Sequence, residues 1–156
     1  MSSVALAGSV VGSPSTRQRT SASVGKGRYA KIALATTLAA TLANAVVYFL
    51  ADLFVRYHPD FLILKDVSAT VITTAGAGVV ASLLYAGLLR FTANPVRNFS
   101  VISAIVFVVT TVPDFTYIPG VEGASTAQAA VLVLMHVVAA AILTGMLTKL
   151  ARPAQS

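Results

Sequence analysis

Three long stretches of this chain, 67–89, 99–112 and 127–147, contain no lysine, arginine, aspartate or glutamate. A soluble helix keeps a charged or polar face in water, so unbroken apolar stretches of this length exclude an ordinary soluble bundle. They are continuous rather than alternating, which also argues against a β-barrel. Hydrocarbon is the solvent in which such rods are stable. Composition agrees. Charged residues make up 10% of the 156 positions and mean hydropathy is +0.83, whereas a soluble domain carries roughly 25% charged residues.

The apolar runs predict an all-α fold, a four-transmembrane-helix antiparallel bundle. Its spans are expected at about 32–55, 67–89, 95–112 and 126–150, within a transmembrane domain over 30–150. Asp66 is the expected N-cap of the second span, and Asn94-Pro95 reads as cap and first turn of the third. Pro113 is read as the end of the third span. Ser125 to Gln128 has capping-box spacing at the start of the fourth. Residues 1–29 are expected to be a disordered cytoplasmic tail, since they are too polar to bury a core, and 151–156 a short cytoplasmic tail. Ala43-Asn44-Ala45 mimics a signal-cleavage site, but the apolar run continues to Val55, so a spanning helix is expected instead.

Charge sets the orientation. With four spans, the two tails and the 90–98 loop share a side and carry nine of the basic residues; the other loops carry Arg56 and Lys65 alone. The positive-inside rule then puts both termini in the cytoplasm, in a plasma membrane. Asp60, Asp66, Asp114 and Glu122 fall in the outer loops. The net charge of +6 follows this loop bias rather than forming a nucleic-acid face. The absence of cysteine removes disulfides and thiolate metal sites. The two histidines, His58 and His136, lie on different segments, and no metal or cofactor site is expected.

Polar groups inside hydrocarbon carry the functional information. Thr37, Thr41, Asn44, Tyr48 and Asp52 recur at steps of four and three, on one stripe of the first span. Gln128, His136 and Thr144 share one face of the fourth. Thr70, Thr74, Gly78 and Ser82 form a small-residue stripe on the second. At about 1.5 Å per residue, Asn44, Thr110 and His136 fall in one layer, and Asp52 and Gln128 in another nearer the outside. Asn44 is therefore expected near His136 and Asp52 near Gln128, with Arg56 as ion-pair partner of Asp52. Asn44, Tyr48, Asp52, Gln128 and His136 form the candidate intramembrane binding or proton site.

The segments 43–48, 89–97 and 135–140 resemble those of an uncharacterised family of small four-span bacterial membrane proteins, common in actinobacteria. The resemblance covers about 30–150. It implies a location and a topology, and no activity.

The leading expectation is a non-enzymatic structural, accessory or binding component. Its partners would be the lipid bilayer and either a second copy or another membrane subunit. The alternative is a small oligomeric proton-coupled transporter with His136 and Asp52 as titrating groups. A lipid- or quinone-directed enzyme using Asp52, His58, Asp60 and Asp114 lacks recognisable catalytic spacing.

Overall fold

A computed structural model describes residues 25–58, 60–61 and 63–151. Within them the chain is all-helical, with no strand: α1 (Lys26–Val55), α2 (Val67–Phe91), α3 (Pro95–Thr116), a single 3-10 turn (Ile118–Gly120) and α4 (Thr126–Leu150). All four α-helices, counting the turn with α3, are long and apolar enough to cross a membrane. The chain is thus a small multi-pass membrane protein. The expected disordered tail lies mostly outside the described residues, but its last part, from Lys26, is already helical.

Local chemistry sets the helix ends. The Asp66 carboxylate accepts the Ser68 amide at 2.7 Å, satisfying a donor that the first turn cannot. Ser125 Oγ accepts the Gln128 amide at 3.2 Å. The reciprocal half of that capping box is absent, because the Gln128 side chain is turned inward, 2% exposed. Asn94 makes no side-chain cap, and Pro95 opens α3.

Two sequence expectations fail at helix termini. Pro113 does not end α3, which runs on to Thr116 with the proline inside it. Proline removes one N–H from the ladder, but the ladder resumes at once, the Tyr117 amide donating to the Pro113 carbonyl at 2.9 Å. Asp114 is consequently a helical residue, 5% exposed, rather than a loop residue. At the end of α1, Arg56 adopts φ 46°, so the chain leaves the helix there. The Arg56 amide still donates to the Asp52 carbonyl at 3.3 Å, but the two side chains make no ion pair. Asp52 accepts the Tyr57 amide instead, at 3.3 Å.

α1 packs against both α2 and α4, and α3 lies chiefly along α4. The interior is unlike that of a soluble protein. Thr36, Asn44, Thr70, Thr74, Asp114 and Gln128 are buried, while Leu53, Phe54, Ile72, Leu83 and Val109 are each more than 60% exposed. Small and polar side chains hold the helices together, and large apolar ones meet the surrounding solvent, which must be lipid. The stripe on α2 faces α1. Asn44 Nδ2 donates to Thr74 Oγ1 at 3.1 Å, Gly78 sits against Thr37, and the Tyr29 hydroxyl donates to the Ser82 carbonyl.

Two apolar cores close the ends. One gathers Tyr48, Phe61, Leu64, Ile118, Leu132 and Met135. It is tied by the Tyr48 hydroxyl donating to the Leu64 carbonyl at 3.0 Å and the Tyr57 hydroxyl donating to the Tyr48 carbonyl at 2.8 Å. The other gathers Tyr85, Phe99, Leu147 and Ala151, with the Tyr85 and Phe99 rings 4.9 Å apart.

Candidate functional site

Beside the first of these cores, and sharing Leu132 and Met135 with it, a groove of about 340 Å³ enters the side of the bundle. Asn44 of α1 contributes to its lining, together with Thr70, Thr73, Thr74 and Ala77 of α2 and His136 and Ala139 of α4. Ile63, in the loop between α1 and α2, also borders it. Thr73 and Ala77 are exposed while Thr70 and Thr74 are buried. The groove therefore opens sideways from the helices, at the depth of the apolar spans. Its lining is mostly apolar with a few polar groups, the composition of a small-molecule site, and its volume falls at the small end of the roughly 300–1,000 Å³ usual for one.

His136 is the chemical centre. Its Nδ1 lies 2.8 Å from the carbonyl of Leu132, one turn back on α4, and 3.2 Å from Asp114 Oδ2 on α3. Both neighbours are acceptors, so the proton belongs on Nδ1. The well-aligned bond goes to Leu132; Asp114 stands at ion-pair distance without an aligned hydrogen bond to that oxygen. With Nδ1 so engaged, the opposite ring edge carries Nε2, which in the neutral ring is an acceptor. No described residue bonds it. The His136 side chain is 35% exposed and Asp114 is enclosed, so the histidine stands between the acid and the groove.

Asn44 is 3% exposed. Its amide nitrogen is committed to Thr74, and its buried Oδ1 has no hydrogen-bond partner. A buried amide oxygen left unbonded is costly, and here it belongs to a residue that lines a cavity. The Thr73 hydroxyl is already engaged, donating to the Ala69 carbonyl at 2.7 Å.

The sequence-derived residues are thus distributed as follows. Asn44 and His136 line one groove, with no hydrogen bond between them. Tyr48 is drawn to the Leu64 carbonyl. Asp52 is exposed near the end of α1, whereas Gln128 is buried, and no hydrogen bond joins them. Thr110 is exposed and donates to its own helix at Val106; Thr111, not Thr110, is the buried threonine of α3. Asp114 is the residue that sequence reasoning placed wrongly. A signal for it exists, because Phe107, Thr111 and Asp114 follow steps of four and three along one helical face, but that requires α3 to continue through Pro113. Among the described residues no group of three or more histidine or acidic side chains could hold a metal ion.

A family model described as a family of unknown function, DUF6069, matches residues 24–153. The chain belongs to that family. No curated protein and no solved structure matches it.

Proposed function

We propose that this member of a family without an assigned role is a non-enzymatic binding component of a bacterial plasma membrane, holding an apolar molecule in the lateral groove between α2 and α4. One observation carries the reading: the groove opens beside the apolar spans, yet a buried asparagine, Asn44, whose Oδ1 has no hydrogen-bond partner, contributes to its lining. Polar groups kept in hydrocarbon are costly, and they mark sites unless they are fully spent on helix contacts. Asn44 is only half spent.

The bundle is antiparallel in this reading, with both termini cytoplasmic. The α1–α2 contacts support the first point: from Tyr29–Ser82 through Thr37–Gly78 to Asn44–Thr74, numbering rises on α1 as it falls on α2. Charge bias supports the second. Any second subunit, a copy of this chain or another protein, would pack on the exposed leucine and valine faces.

Photolabelling tests the reading. A diazirine-bearing hydrocarbon in nanodiscs should label 69–77 and 132–139 preferentially, and Ala139→Phe, which fills the groove, should remove that preference. Even labelling of all exposed helix faces would contradict it.

A second reading rests on the Asp114–His136 pair, in which the acid is buried and the imidazole partly exposed to the groove. Such a pair can pass a proton, so proton-coupled transport would use Asp114 with His136, and not the exposed Asp52. Unchanged proton-driven uptake or efflux by Asp114→Asn vesicles would dispose of it.

A further inference from the structure

We infer that the end of the bundle formed by the start of α1, the α2–α3 connection and the end of α4 binds anionic phospholipid headgroups of its own leaflet. The charges of the chain are sorted by end. No aspartate or glutamate occurs before Asp52, between Asp66 and Asp114, or after Glu122. At this end stand Lys26, Arg28 and Lys31 of α1, Arg90 of α2, Arg97 of α3 and Lys149 of α4, all exposed. The ion pairs among the described residues lie elsewhere, at His58–Asp60 and His136–Asp114, so none of these basic side chains is spent on an acid.

Packing gathers the charges into one slab. Tyr29 and Ile32 of α1 and Leu88 of α2 share a core with Phe99 of α3 and Leu147 of α4, so all four helices meet here. Thr37 and Gly78 lie side by side, and from that level Lys26 and Arg90 are both about 17–18 Å further along, at about 1.5 Å per residue. The apolar spans end in this slab, which is where headgroup phosphates lie in a bilayer that the helices cross. A zwitterionic lipid brings its own cation to each phosphate, whereas an anionic one leaves its charge for the protein. Lysine and arginine at such a surface attract it, and salt screens the attraction. A soluble acidic partner would have to displace headgroups already in that layer. Phe91 is 79% exposed, with the Arg90 guanidinium 5.5 Å from its ring centre, so an apolar surface adjoins the charge, as a headgroup and its chain require. The opposite end has the reverse balance. There Asp52, Asp60, Asp66 and Glu122 are exposed against Arg56 and Lys65, so anionic lipid is selected at one end alone.

The test uses the lack of tryptophan in the chain, which lets a single introduced one report from a chosen place. Phe91→Trp reports from the basic end. Phe54→Trp, at a position 86% exposed, reports from the other. Each full-length variant is reconstituted in vesicles of phosphatidylcholine and phosphatidylglycerol, with bromine on the acyl chains of one lipid or the other, and quenching gives their relative binding. Both leaflets have the same composition, so the direction of insertion does not enter. At position 91 phosphatidylglycerol should bind at least about threefold more tightly than phosphatidylcholine. That ratio should fall towards one at about 1 M salt, and also when Lys26→Gln, Arg28→Gln, Lys31→Gln and Arg90→Gln are added. At position 54 the ratio should be near one throughout. A ratio near one at position 91 in low salt would overturn the proposal and turn the search to an acidic protein. Equal preference at both positions would overturn it, and so would a preference at 91 that survives about 1 M salt, because charge would not be its cause. The two reporters and the salt series decide even if the quadruple glutamine variant fails to reconstitute.

Discussion

Asp114 Oδ2 on α3 stands 3.2 Å from His136 Nδ1 on α4, an acid and a base brought together from two apolar helices. Removing one member strands the other. His136→Leu should destabilise the bundle by about 2 kcal/mol, less than the roughly 3–5 kcal/mol of a fully buried pair, because the imidazole is partly exposed and polar contacts inside membranes average less. Asp114→Leu should cost less than His136→Leu, since a neutral imidazole keeps its bond to Leu132. A double-mutant cycle by unfolding in detergent checks this. The double variant should be more stable than the sum of the singles implies, and additivity within about 0.5 kcal/mol would mean the two groups do not interact.

α1 comes close to α2 at Gly78. A Cβ there would lie 2.7 Å from both the methyl and the hydroxyl of Thr37. Threonine is stiff at χ1 and cannot swing its branches away freely. Gly78→Ala should therefore cost about 1–3 kcal/mol by overpacking, and Thr37→Ala in the same chain should recover most of it. Failure of the second substitution to rescue the first would mean that the helices are held apart by something else.

Outside the spans, two groups give opposite pH dependences. The Ser68 amide bond, and then the Ser68 side chain, hold Asp66 below its ordinary value of 3.8. Its contribution to the α2 N-terminus is complete above that value and disappears as pH falls through the lowered one. Relative to Asp66→Asn, which caps without titrating, exchange of the Ser68 amide should accelerate on acidification. The Tyr57 hydroxyl is pushed up to about 12, first by burial and then by the nearby Asp52. It contributes below the ordinary value of 10.0 and is lost as pH rises through about 12. Ultraviolet titration should show late phenol ionisation around that pH, and its amplitude should be smaller in Tyr57→Phe by one tyrosine.

Sidedness is testable because the chain has no cysteine of its own. Asp60→Cys, in the loop between α1 and α2, should react with a membrane-impermeant maleimide in intact cells. Reaction only after the membrane is opened would reverse the orientation inferred from the basic residues.

The four helices were legible because hydrocarbon imposes a simple rule: a span of about 20 residues must be apolar and internally hydrogen-bonded. The α2 stripe was legible for a related reason, since Thr70, Thr74, Gly78 and Ser82 are the small residues that let a neighbour approach. The Asp114–His136 pair was not. Proline is a strong stop signal in water, and a stop at Pro113 sends Asp114 into a loop. Packing of α3 along α4 carries the helix past it. Asp52 misled for the opposite reason. It shares a stripe with Asn44 and Tyr48, but near the end of α1 the packed side is the one carrying Ala51 and Val55, which leaves Asp52 exposed.

The most direct measurement concerns Thr73, which is exposed at the mouth of the groove. A spin label on Thr73→Cys in nanodiscs should be more accessible to oxygen, which partitions into hydrocarbon, than to a water-soluble nickel chelate. Saturation with the diazirine-bearing hydrocarbon should lower that oxygen accessibility at 73 while leaving it unchanged at Leu134→Cys, which is exposed elsewhere on α4. Greater accessibility to the nickel chelate at 73, or an equal response at both positions, would contradict a lipid-facing groove that holds an apolar molecule.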